Sequence, residues 1–129
     1  LRQPAGSRGG QLMMLLTKAH REKLLANHHS QREMLAATGG DCEDLKPVVK
    51  LFDAYGSAFW LLTELDEDGI AYGLCDLGMG FPEVGSVSLA ELEALEFVPG
   101  LKRVERDRHF VADKTLWEYA EAARQGVRP

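Results

Sequence analysis

Asp76 stands in the apolar run Leu74-Cys75-Asp76-Leu77, where a carboxylate needs either water on its face or a hydrogen-bonded partner. Together with Glu83, and with Arg106 and His109 in Glu105-Arg106-Asp107-Arg108-His109-Phe110, it forms the set of side chains best suited to acid–base chemistry. Carboxylates beside an imidazole can relay a proton or bind Mg²⁺, and a guanidinium can hold an anionic substrate. That reading requires Asp76, Glu83, Arg106 and His109 to converge in one pocket. Glu64 and Asp66 form a second acidic group, because a reversal near Asp68 would fold the flanking strands together and bring Glu64 near Asp76 or a neighbour. Each residue also has a plain structural reading: a carboxylate that caps a turn or faces water, a histidine packed beside Phe110, an arginine paired with an acid.

Other chemistries find less to work with. The loop Gly78-Met79-Gly80-Phe81-Pro82-Glu83-Val84-Gly85 can turn backbone N–H groups toward an anion, which adds Gly78 and Gly80 to Glu64 and Asp66 as candidate binding residues. Its spacing matches neither a P-loop nor a dinucleotide fingerprint, Glu83 would repel a phosphate, and sharp turning explains the glycines equally well. Cys42 and Cys75 lack CxxC partners and read as reduced thiols, Cys75 in the core. His28 and His29 are adjacent and point different ways on a helix, and His20 finds no third ligand, so no metal site is assigned and no cofactor is called for. Ser57, Ser86 and Ser88 fit turns or caps, with no Gly-x-Ser-x-Gly elbow. Phe52, Phe59, Trp60, Tyr72 and Phe81 lack the interleaved Lys and Arg of a base-stacking platform and read as core, with Phe59 and Trp60 on opposite sides of one strand.

The elements that must position these residues follow from period and punctuation. Thr17 offers an N-cap hydroxyl to a helix whose apolar stripe (Leu16, Ala19, Leu24, Leu25) runs to about Ala26. Asn27-His28-His29-Ser30 reads as an end, Gln31 to Ala37 as a second short helix or a continuation, and Thr38-Gly39-Gly40-Asp41 as a stop. From Pro47 the period becomes two. Strands over Pro47–Asp53, Ala58–Asp66 and Ile70–Leu77, joined by tight polar turns, predict an antiparallel meander, since parallel neighbours need long crossovers. Ser86 and Val87 add a short fourth strand, and Ser88 with Glu91 opens a helix through Leu89, Leu92 and Leu95, closed by Pro99-Gly100. Val104 to Asp107 reads as an edge strand, and Thr115 with Glu118 opens a last helix through Leu116, Tyr119, Ala120 and Ala123. The expected fold is α+β: three to five antiparallel strands with the N- and C-terminal helices across one face.

A chain of 129 residues, 45% apolar and 27% charged, suits one domain with one core. No apolar run nears the roughly 20 residues a membrane span needs, and no secretory signal is evident, so a cytoplasmic protein without a membrane partner is expected. Residues 1–12, rich in Gly, Arg and Pro, read as a cloning remnant or translated upstream sequence, with the natural start at Met13 or Met14 and a single domain over 13–129. The net charge is −5, but residues 41–96 set two lysines against thirteen acids, a local balance of −11. That argues against general nucleic-acid binding, and its plainest reading is a solvated sheet face.

Trp60-Leu-Leu-Thr-Glu-Leu-Asp66, Tyr72-Gly-Leu-Cys-Asp-Leu-Gly78, Gly80-Phe-Pro-Glu-Val-Gly85 and Val87-Ser-Leu-Ala-Glu-Leu92 together form an ordered series of motifs. They resemble an uncharacterised bacterial family, a domain of unknown function met among accessory genes of plasmids and other mobile elements. The resemblance spans roughly Met14 to Arg124 and implies no activity. It differs over His28–Lys46 and at the turn Asp66-Glu67-Asp68-Gly69, both read as loops. The expected function is a non-enzymatic accessory protein that binds another protein through its acidic surface. A sharper form, an acidic surface standing in for DNA, rests on charge and genomic context alone. The alternatives are a small metal-dependent or acid–base enzyme built on Asp76, Glu83 and His109, and a nucleic-acid binder using the basic N-terminal helix (Lys18, Arg21, Lys23, Arg32).

Overall fold

The computed structural model describes residues 15–129, so the expected start at Met13 or Met14 and the separate character of residues 1–12 lie outside the described residues. Thr17 caps the first helix as its position predicts. Its hydroxyl accepts the His20 N–H, and the His20 ring accepts the Thr17 N–H in return. Helix α1 (Lys18–Thr38) then runs unbroken to Gly39, whose φ of 80° ends it in the left-handed region. Asn27-His28-His29-Ser30 therefore does not end a helix. The side chains of Asn27, His28 and His29 make tertiary contacts instead.

The expected meander is present. Strands β1 (Val49–Asp53), β2 (Phe59–Leu65) and β3 (Ile70–Asp76) pair antiparallel through short turns. Strand β4 (Glu83–Ser88) is a full strand rather than the short Ser86–Val87 piece expected, since it pairs with β3 along its whole length. Ser88 caps helix α2 (Leu89–Ala94), which stops before Leu95 because that residue is already extended. A hairpin of β5 (Glu96–Val98) and β6 (Leu101–Lys102) follows, turning at the Pro99-Gly100 that reads in sequence only as a stop. Strand β7 (Val104–Arg106) joins β1, which gives the order β4-β3-β2-β1-β7 with every pair antiparallel. Thr115 and Glu118 form the expected reciprocal cap of helix α3 (Leu116–Arg124). The fold is α+β.

Alternation along β2 sends its side chains into two cores. Phe59 and Leu61, with Leu74 of β3, lie under Leu116, Tyr119 and Ala120 of α3; this is the first face. Trp60, Leu62 and Leu65, with Ala71, pack on Leu24 of α1 and on Leu89 and Leu92 of α2; this is the second face. Both aromatic neighbours, Phe59 and Trp60, are thus covered, as their opposite directions require. Helix α1 feeds Leu24 into the second core, while a later stretch of it meets α3 around a cleft on the first face.

Two local constraints hold this arrangement. The hairpin β5–β6 is tied to the β1–β2 turn by Arg103, whose Nε donates to Asp53 Oδ2 at 2.8 Å, and by Phe97 stacked on Tyr55 with centroids 4.2 Å apart. Burial pushes the Asp53 carboxyl up, but the Arg103 hydrogen bond, the Tyr55 N–H and the Arg103 charge outweigh it and hold the group below its ordinary value. Gly73 lies opposite Leu62, where a Cβ would overlap the Leu61 carbonyl oxygen and sit 2.9 Å from Leu62 Cα. Only glycine lets these two strands close.

Gly73→Ala is expected to cost about 2 kcal/mol or more in urea unfolding, because backbone rather than a side-chain tip must move. A lowered carboxyl stabilises the fold above the ordinary aspartate value, and the stabilisation fades as pH falls toward and through the lowered one. The advantage of the wild type over Asp53→Asn should therefore be full at neutral pH and shrink below about pH 4, read from unfolding midpoints across pH.

Candidate functional site

The site begins with one extra residue in β2. Register with β3 runs Leu61↔Leu74 and Leu62↔Gly73, then shifts, so that Glu64 faces Tyr72 and Leu65 faces Ala71. Thr63 is the bulge residue, and it reverses the alternation beyond it. Without it Glu64 would point to the second core with Leu62. With it Glu64 joins Leu61, Tyr72 and Leu74 on the first face, and Ser86 of β4, opposite Tyr72, continues the row.

The bulge also lies where β1 has run out. The last backbone bond between the two strands is Val48 N–H to Leu62 O at 2.8 Å. The next carbonyl, Thr63, has no strand beside it, and a buried carbonyl needs a donor. Asn27 of α1 supplies it, its amide donating to Thr63 O at 2.9 Å. One residue on, His28 Nδ1 lies 3.4 Å from Glu64 Oε1, with both side chains mostly buried. His29 points away and meets Glu67 with Nε2 2.7 Å from Oε2. Asn27 and His28, in the tetrad that reads as a helix end, form the seam between α1 and the open side of β2.

The connection after α1 forms the other wall. Gln31 is buried, and its amide makes both bonds a neighbouring strand would make. Nε2 donates to Glu43 O at 2.8 Å, and Oε1 accepts the Glu43 N–H at 3.1 Å. The next two residues seat the start of α3: Asp44 Oδ1 accepts the Trp117 N–H, and Leu45 O accepts the Leu116 N–H.

Between these walls is a cleft of about 400 Å³, floored by Glu64, Tyr72 and Ser86. Glu43, Asp44, Glu64 and Asp66 line it against one permanent cation, Arg32. Burial raises the Tyr72 phenol above its ordinary value, and the Glu64 charge and then Cys42 add to this, so Tyr72 stays a neutral donor. Trp117, 50% exposed, offers an aromatic surface among the lining residues. Carboxylates flanked by aromatic rings suit a cation, and an anion would meet like charge. Among the described residues no group of three or more His, Cys, Asp or Glu side chains is placed to hold a metal ion.

The candidates chosen from sequence divide sharply. Glu64 and Asp66 both line this cleft, although Asp66 Oδ1 is occupied by the N–H groups of Asp68 and Ile70 and caps their turn. Gly78 and Gly80 lie beyond the other end of β3. Both have positive φ, and the Gly78 N–H donates to Asp76 Oδ1 at 2.8 Å. That bond also answers the question of the buried Asp76, which is a turn cap. Asp76, Glu83, Arg106 and His109 do not converge. Asp76 shares the first face with Phe59, whereas Glu83, opposite Cys75, is on the second. Arg106 is across the sheet on β7, where it donates to Leu15 O at 2.6 Å and lines a separate hollow with His20. His109 is exposed after β7, its N–H donating to Asp107 Oδ1. Asp76 and Glu83 are on neighbouring strands but opposite faces, and sheet order sets two or more strands between them and Arg106, so the four side chains do not form one site. His28, Gln31, Glu43 and Tyr72 carry no sequence signal of this cleft, because their roles depend on the bulge and on an unbroken α1.

Residues 15–128 match DUF2958, described as a protein of unknown function. The chain belongs to the DUF2958 family. No curated protein and no solved structure matches it. The DUF2958 match takes in every strand and the whole cleft. No helix among the described residues is long and apolar enough to cross a membrane. Within the DUF2958 domain the acids of residues 41–96 do not coat an open sheet face. Each face carries a packed core, and these acids are spread over the cleft, the turns, helix α2, the start of β4 and the hairpin.

Gln31→Leu leaves the Glu43 N–H and C=O without their partner, so it should cost about 1–3 kcal/mol. Hydrogen exchange should report it locally: amides at Glu43, Leu116 and Trp117 exchange faster than in the wild type, while β3 amides keep their protection.

Proposed function

We propose that the protein is a non-enzymatic accessory protein that binds another protein, and that the cleft between α1 and α3 receives a basic side chain of that partner. The observation that carries this reading is the lining of the cleft, four carboxylates facing a single arginine beside Tyr72 and Trp117. Arg32 faces those acids, so the basic helix is a poor second reading as a nucleic-acid surface. The setting assumed is the bacterial cytoplasm, among plasmid or mobile-element genes, and it is supported by the resemblance of the sequence motifs alone. Partner identity enters only as chemistry: an exposed segment carrying Arg or Lys.

Titrating a short Arg- and Lys-containing peptide, with its Glu-substituted counterpart as control, tests the reading through Trp117 fluorescence. Only the basic peptide should bind, and rising salt should weaken it. Glu43→Lys and Glu64→Gln should each reduce affinity about tenfold or more, a loss of about 1.4 kcal/mol per tenfold. Glu83→Lys, on the second face, should leave it unchanged. Equal binding of both peptides, or equal losses in all three variants, would remove the cleft from the function.

A further inference from the structure

The two edges of the sheet are built differently. Strand β7 is three residues long, carries Glu105 and Arg106, and is strapped to Leu15 by Arg106. Those are ordinary ways of blunting an edge. Strand β4 has none of them. It is six residues of unbroken register against β3, with no Lys, Arg or Pro and a single charge, Glu83, at its start. Leu77, Met79 and Phe81, the last 79% exposed, lead into it and add apolar surface beside the edge.

The phase of the β4 edge, unpaired among the described residues, follows from one bond. Leu89 N–H donates to Gly69 O at 3.0 Å, continuing the β3–β4 ladder. Antiparallel pairs alternate between bonded and non-bonded, so Val87, Gly85 and Glu83 turn their backbone groups to β3. Val84, Ser86 and Ser88 then turn their N–H groups outward. Two copies related by a two-fold axis normal to the sheet can pair only residues of like parity, because facing side chains share a face. Centred on Ser86, the pairing sets Val84 against Ser88 of the second copy and Gly85 against Val87. It thereby fills the open space at Gly85, where an added Cβ meets nothing within 4 Å, over the groove floored by Trp60 and Cys75. Centred on Gly85, it would set glycine against glycine with no side-chain contact. Glu83 does not face its own copy in either case.

We propose that the β4 edge is a homodimer interface in which two copies of this chain pair antiparallel about Ser86 into one ten-stranded sheet. This goes beyond the cleft reading. Ser86 also borders the cleft, so the two clefts lie side by side on the same face about the axis.

Sedimentation of the full chain tests the proposal without any ligand. The expected mass is twice that of the chain, falling to the single-chain mass on dilution. Ser86→Pro removes an outward N–H at an edge position that accepts proline, and it should give a monomer with unchanged circular dichroism. Should that variant lose its fold, cross-linking decides. In a Cys42→Ser background, Ser86→Cys should join two chains through a short bis-maleimide, and Glu83→Cys should not. A wild type that stays monomeric at all concentrations, a dimer indifferent to a folded Ser86→Pro, or cross-linking no greater at Ser86 than at Glu83 would each overturn the proposal.

Discussion

The single residue Thr63, inserted between two ladders of β2 and β3, sets the character of this molecule's first face. Before it, β2 alternates Phe59 and Leu61 toward α3, and Trp60 and Leu62 toward the opposite core. After it the phase is reversed, so Leu65 moves to the second core and Glu64 turns to the first face. A regular strand would bury Glu64 among leucines, at a cost of several kcal/mol unless its charge were neutralised. The bulge removes that conflict by aiming the carboxylate at a polar cleft. Thr63 itself is buried, and its hydroxyl donates to Tyr72 O at 3.3 Å, so the irregularity is satisfied from within.

The polar face of α1 follows from the same place. A helix docking on a sheet face buries leucines, whereas a helix lying along an open strand side must also answer backbone groups. Asn27 answers the Thr63 carbonyl, His28 meets Glu64, and Gln31 copies a strand's paired bonds to Glu43. Of α1 only Leu24 and Gln31 are buried. The helix is therefore held less by an apolar stripe than by a column of side-chain bonds at Asn27, His28 and Gln31. The strap it anchors, through Asp44 and Leu45, in turn seats the first turn of α3.

How much of this is legible in the sequence depends on the range of the interactions. Local signals carry well. Thr17, Ser88 and Thr115 cap the helices they announce, and the period of two from Pro47 marks the meander with its turns. The length of β4 and the hairpin at Pro99-Gly100 are less legible, since glycines and exposed apolar residues resemble loop. The cleft is least legible, because a bulge has no composition of its own and shifts every later residue to the other face. Glu64 and Asp66 are found from charge and turn position, but their companions on α1 sit in a tetrad that reads as a helix end. Asp76 is misleading for the opposite reason. A buried carboxylate suggests chemistry, yet the Gly78 N–H is two residues away and is sufficient partner.

Membership of DUF2958 brings no activity with it, so the physical description of the cleft must stand on geometry. That geometry rests on Glu64 and Tyr72 being cross-strand partners. Nuclear Overhauser spectroscopy on the folded chain measures it directly. The account expects contacts from the Glu64 side chain to the Tyr72 ring and to the His28 ring, with Leu65 instead close to Ala71 and Leu24. Contacts that place Thr63 opposite Tyr72 in unbroken register, with Glu64 beside Ala71 in the second core, would contradict it.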